Sequence, residues 1–108
     1  MSSLWEQRAA RNEALFREVN ENILSLEERY GNIASAPLFV CECATADCSE
    51  RLEVSIDVYL DVRANPRRFL VVPGHEHPEL EQRVGGTDTY LIVEKTGTAG
   101  EIAERSLR

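Results

Sequence analysis

No apolar run in this 108-residue chain approaches the ~18–20 residues needed to cross a bilayer, so nothing in it reads as a membrane span. The opening stretch, MSSLWEQRAARNEALF, carries charges where a secretory signal needs an apolar core, and the expected location is the cytoplasm. Positive charge is scarce. Twelve basic residues face nineteen acidic ones, for a net charge of −7. A dedicated duplex-DNA binder needs a net basic face, so that role is disfavoured. Lysine is almost missing, since eleven of the twelve basic residues are Arg and Lys95 stands alone. There is no Gly-rich phosphate loop, no Gly-x-Ser-x-Gly and no His-Glu-x-x-His, which removes several motif-bearing enzyme classes. Internal repeats and low-complexity segments are absent as well. What remains is room for one domain with one core. With 43% hydrophobic and 29% charged residues, the chain is neither a disordered tail nor a membrane protein.

The charge is unevenly spread. Residues 1–30 sum to −2, residues 31–62 to −5, residues 63–75 to +3 and residues 76–108 to −3. The basic island is Arg63, Arg67 and Arg68 in VRANPRRF. Three Arg can bind an anion or an acidic partner surface, or simply offset the acidic segment before them.

The first thirty residues predict one long amphipathic helix. Trp5, Ala9, Phe16, Val19, Ile23, Leu26 and Tyr30 fall at alternating steps of three and four once Asn12 is counted as the polar member. That is a heptad seam, and one polar seam residue can fix register and oligomeric state. Charges fill the other faces, with Glu13 and Arg17 four apart in the favourable orientation. Ser2 or Ser3 is a candidate cap, and Gly31-Asn32 a stop. About 27 helical residues would reach ~40 Å. A compact domain of this size is only ~26 Å across. The expectation is that the helix projects and pairs, with a second copy or with another protein.

Residues 31–108 read as a small α+β unit. After a linker at 31–37, strands are expected at Leu38–Glu42, Glu50–Ser55 and Arg68–Pro73 from their apolar alternation or β-rich composition. Ser55 should cap a short helix, Ile56–Ala64, that Asn65-Pro66 ends. Leu80–Lys95 should form a hairpin around Gly85-Gly86. Residues 97–108 form a small, polar tail with a weak helical pattern at Ala99–Leu107. The expected fold class is therefore α+β: a long, coiled-coil-like N-terminal helix, then a zinc-stabilised domain at 38–96 of short antiparallel strands and one short helix.

The chemistry lies in Cys41-Glu42-Cys43-Ala44-Thr45-Ala46-Asp47-Cys48, a Cys-x-Cys-x4-Cys cluster holding all three cysteines. An odd count in a cytoplasmic setting argues against disulfides. Thiolates packed this closely repel unless a cation neutralises them, and zinc does so with four tetrahedral ligands. The fourth ligand should come from Pro73-Gly74-His75-Glu76-His77, where Gly74 permits an unusual backbone angle. His75 follows the turn directly and is the choice, with His77, ahead of Pro78, as the substitute. Structural zinc also makes energetic sense, because it can add ~10–16 kcal/mol of folding free energy to a small domain with a thin core.

Together, FVCECATADCSERLEVSIDVYLDVRANPRRFLVVPGHEHPELEQ, the trailing TYLIVEK and the leading RNEALFREVNE resemble a small actinobacterial family over roughly residues 8–95. Its marks are the cysteine cluster, a tyrosine–Val-Arg helix and a Phe-x-Val-x-Pro-Gly-His-Glu loop. The resemblance implies metal binding at Cys41, Cys43, Cys48 and His75, with no assigned activity, and related segments can occur beside signalling domains. One departure is Leu60, where an acidic residue is expected after the tyrosine.

Three functional classes follow. The preferred one is a non-catalytic zinc module assembled through its helix, at Asn12, Phe16, Val19, Ile23 and Leu26, or presenting Arg63, Arg67 and Arg68 to a signalling or transcription protein. No duplex DNA and no membrane are expected as partners. The second is a redox sensor, with Cys41 and Cys43 as the labile pair. The third, a zinc hydrolase or deaminase with Glu76 as base, is disfavoured, because Cys-rich four-ligand sites are closed and the deaminase signature is absent.

Overall fold

Leu52 and Val54 alternate inward from a short strand β2 (Arg51–Glu53), which pairs antiparallel with β1 (Leu38–Val40) so that Phe39 stands opposite Leu52. The chain is seen here in a computed structural model that describes residues 4–29, 37–43, 45 and 48–107, without the side chains of Trp5, Glu6, Ser106 and Leu107. The proposed caps at Ser2 and Ser3, the Gly31-Asn32 stop and linker residues 31–36 lie outside the described residues, as do Tyr30 and the Trp5 side chain.

Ser55 opens α2 (Ile56–Arg63) as expected. Its backbone is extended and its hydroxyl oxygen accepts the Val58 N–H at 3.3 Å. The apolar run after Pro66 becomes β3 (Arg68–Val71), which the core covers at Phe69, Leu70 and Val71. β4 (Glu81–Gly86) and β5 (Leu91–Lys95) form the expected hairpin, and β5 sits between β3 and β4 in a three-stranded antiparallel sheet. Gly86 lies at φ 127°, and a Cβ there would collide with the Tyr90 carbonyl, so the hairpin turn requires glycine. The weak pattern near the C-terminus is a full helix, α3 (Gly97–Leu107).

The main core gathers Phe39, Leu52, Val54, Tyr59, Val62, Phe69, Leu70, Val71, Leu91 and Val93. Phe39 and Tyr59 stack with ring centroids 4.4 Å apart. The fold class is α+β, as the sequence indicates. No helix among the described residues is long and apolar enough to cross a membrane.

The first helix, α1 (Leu4–Arg29), corrects the expectation of a projecting rod. It lies along the domain against α3 and β1, within a molecule of 44 × 27 × 24 Å. Its buried face is Ala9, Glu13, Arg17, Asn20 and Leu24, to which the expected apolar seam contributes only Ala9. Of the seam residues, Phe16 and Ile23 are half-buried at the edge of this contact, while Val19 and Leu26 are exposed. Apolar periodicity misplaces the face because three of its five inward residues are polar. Nor do Glu13 and Arg17 serve as a helical surface pair: each is committed to a partner in the domain.

Glu13 reaches Lys95, the lone lysine, whose ammonium is buried between the carboxylates of Glu13 and Glu81 and 5.6 Å from the centre of the Phe69 ring. Two acids share one cation in a dry site. Burial pushes the Glu13 carboxyl up to about 7, Lys95 pulls it back, and the Glu81 and Glu42 charges add to the rise. The folded value lies above the unfolded one. The stability from protonating Glu13 is therefore fully present below the unfolded value and lost as pH rises through about 7. Between pH 5.5 and 8 this group should cost the fold up to about 3 kcal/mol. In denaturant titrations across that range, Glu13→Gln should flatten the slope and be neutral or stabilising at pH 8. A slope that survives the substitution would place the titration elsewhere.

Candidate metal centre

Beyond Val40 the chain leaves β1. Cys41 and Cys43 turn to one side and Glu42 to the other, between them. The backbone is held on both flanks: Cys41 N–H donates to Glu50 O at 2.9 Å and Glu42 N–H to Leu70 O at 2.7 Å. Cys48 returns through a tight turn, its N–H on Thr45 O at 3.1 Å. The second loop leaves β3 and turns at Gly74, whose φ of 96° is left-handed. His75 N–H closes that turn onto Val72 O at 2.9 Å, and Glu76 fastens it by accepting the Gly74 N–H at 2.7 Å.

These two loops bring Cys41, Cys43, Cys48 and His75 together, with one donor atom from each within 4.8 Å of all the others. His75 Nδ1 lies 3.6 Å from Cys41 Sγ and 3.5 Å from Cys48 Sγ. A tetrahedral zinc ion with bonds of ~2.3 Å to sulfur and ~2.0 Å to nitrogen sets that edge at about 3.6 Å. The four residues could therefore hold a metal ion with little movement. His77, the substitute ligand, is outside the group. Its backbone N–H donates to Glu81 Oε2 at 3.0 Å.

Without a cation the thiols share their protons unequally. A hydrogen bond from Cys41 draws Cys43 down to about 4, against its burial, helped by the Thr45 N–H and by His75. The same bond to Cys43, together with burial, pushes Cys41 up, although the Val72 N–H points at its sulfur from 3.2 Å. A divalent cation bound among these thiols would displace their protons.

The three sulfurs also differ in exposure. Cys41 and Cys43 are each 1% exposed, whereas Cys48 is half-buried. Cys48 and His75 form one wall of a cavity of about 380 Å³ that Thr45, Ser49, Glu50, Gly74 and His77 complete.

On the other side, Glu42 is fully buried and its two oxygens accept five hydrogen bonds. Arg17 supplies two, from Nε at 2.8 Å and Nη2 at 3.0 Å. Asn20 Nδ2, the Tyr59 hydroxyl and the Leu70 N–H supply one each, all at 2.9 Å. Arg17 also donates to the Arg68 carbonyl and lies 4.8 Å from the centre of the Phe69 ring. Burial opposes the guanidinium charge, but Glu42 outweighs it and holds Arg17 above its ordinary value. Asn20 brackets β1, donating to Val40 O at 2.9 Å and accepting its N–H at 2.7 Å. Sequence reasoning missed this network. Its signal was the polar repeat Glu13, Arg17, Asn20 four and three residues apart, which matches one helix face as well as the apolar seam does.

The basic island is dispersed into ion pairs. Arg63 pairs with Glu21 at 2.6 Å, Arg67 with Glu104 at 2.6 Å and Arg68 with Glu94 at 2.9 Å. Asn12 is half-buried on the flank of α1.

Comparison with family models, curated proteins and solved structures returns no match to this chain. The actinobacterial resemblance gains no support from these comparisons, and the candidate metal centre rests on its own geometry.

Proposed function

We propose that this chain is a non-catalytic zinc module, in which Cys41, Cys43, Cys48 and His75 hold a structural ion and the surface carries a regulatory contact with protein. The observation that carries the proposal is the pair of sulfur–nitrogen separations at His75 Nδ1, 3.6 and 3.5 Å, which match a tetrahedral edge. Three thiolates and an imidazole are a donor set that suits zinc. Four protein ligands would leave no position for water, which favours a structural over a catalytic role. Glu76, the carboxylate a hydrolase would use as base, is engaged with the Gly74 N–H.

Elemental mass spectrometry on reduced protein should find one zinc per chain. His75→Ala should lose most of it and His77→Ala should keep it. Metal-free wild type, or loss only in the His77 variant, would contradict the assignment.

A second reading, a zinc–thiolate redox sensor, is supported by the cavity at Cys48. The sequence points to Cys41 and Cys43 as the labile pair, but those sulfurs are buried and only Cys48 faces an opening. A peroxide entering there would meet Cys48 Sγ. A sulfur–oxygen bond forms as the oxygen–oxygen bond breaks, and hydroxide leaves. The thiolate of Cys41 or Cys43 then displaces a second hydroxide to form a disulfide. Two electrons pass from the two thiolates to the peroxide, and the metal loses two ligands. Peptide mapping during a peroxide titration should find Cys48 in the first disulfide, formed in step with zinc release. Zinc retained at peroxide excess, or a first disulfide between Cys41 and Cys43, would remove this reading.

A further inference from the structure

The outer face of α1 exposes four large apolar side chains, whereas three of the five inward residues are polar. Leu4, Leu15, Val19 and Leu26 are 61%, 54%, 43% and 52% exposed. With the exposed Arg8, Arg11 and Asn22 they form a single stripe, at steps of four, three, four, four, three and four residues. At 100° per residue this stripe lies on the side of the helix opposite the buried Ala9, Glu13, Arg17, Asn20 and Leu24. The domain therefore does not obstruct it.

The spacing of the stripe is symmetric about Leu15. Reversing the helix end to end places Leu4 on Leu26, Arg8 on Asn22, Arg11 on Val19 and Leu15 on itself. Across a two-fold axis at Leu15 this sets Leu4 against Leu26 of the partner subunit at both ends and Leu15 against its own copy at the centre, the repeated contacts of an isologous interface. The charges select the same arrangement. In a parallel pair, Arg8 and Arg11 would each face their own copies. In the antiparallel pair, Arg11 lies within one residue's rise of Glu18 of the partner subunit, on the same flank, and the symmetry makes that contact twice.

We infer that α1 is a self-association surface, and that the chain forms an antiparallel homodimer whose two-fold axis passes through Leu15. The contact runs from Leu4 to Leu26 over about 33 Å of helix. This differs from the seam expected from sequence, which shares only Val19 and Leu26 with the stripe. It goes beyond the metal reading and does not depend on it.

The test is sedimentation of the full chain across a range of concentrations, on protein whose metal content and helicity have been measured first, so that a failure of the zinc proposal is recognised separately. Wild type should be dimeric. Leu15→Glu, which brings two carboxylates together on the axis, should be monomeric with metal content and helicity unchanged. Arg11→Glu and Glu18→Arg should each weaken the dimer by about tenfold, and the double variant should restore it, because both symmetric pairs are exchanged together. A wild type that is monomeric throughout, or a dimer indifferent to Leu15→Glu, would overturn the inference. Absence of rescue in the double variant would overturn the antiparallel arrangement.

Discussion

The Glu42 carboxylate is the point on which the rest of the molecule depends. It stands between two candidate metal ligands and is fully buried, where an ionised carboxylate without partners would cost several kcal/mol. Its partners come from α1, α2 and β3: Arg17 and Asn20, Tyr59, and the Leu70 N–H. The first helix and the consecutive elements α2 and β3 are thereby fastened to one residue of the cysteine loop. Cys41 and Cys43 gather with the other candidate ligands while Glu42 between them is buried in the core, and a core that accepts a carboxylate must bring a cation to it. Burial and the Glu42 charge hold the Tyr59 phenol well above its ordinary value, so it serves there as a donor.

α1 is attached by the same principle at a second place. Lys95 draws Glu13 and Glu81 together about one helical turn from the Arg17 contact, and the apolar contributions from the helix are Ala9 and Leu24 at either end. Charge pairs in a dry interface contribute little net stability, but they penalise wrong placements, since any rotation of the helix strands a buried charge. We attribute the fixed orientation of α1 to this penalty. That orientation leaves Leu4, Leu15 and Leu26 outward and Arg17, Asn20 and Glu13 inward, the reverse of an ordinary amphipathic helix.

Much of the domain was legible in the sequence because its signals are local. Ser55 and Pro66 bracket α2, Gly85-Gly86 ends β4 just ahead of the hairpin turn at 87–90, and the cysteine spacing with Gly74-His75 marks the candidate metal centre. The choice of His75 over His77 rested on its place after the turn, and the close approach of its Nδ1 to two sulfurs agrees with it. The face of α1 was not legible. Hydrophobic periodicity assumes that apolar residues are the buried ones, and here the polar inward residues are held by partners 20 to 82 residues away in the chain, which no local pattern reveals. The same applies to Arg63, Arg67 and Arg68, adjacent in sequence but paired with acids on α1, α3 and β5.

The central claim is that the metal loop and α1 are one mechanical unit joined through Glu42. It is tested most directly by hydrogen exchange on the metal-loaded protein before and after chelation. Coupling through Glu42 predicts that removing the metal lowers protection in α1 and α2 together with residues 41–48 and 72–75. Protection lost in the two loops alone, with α1 unchanged, would contradict it.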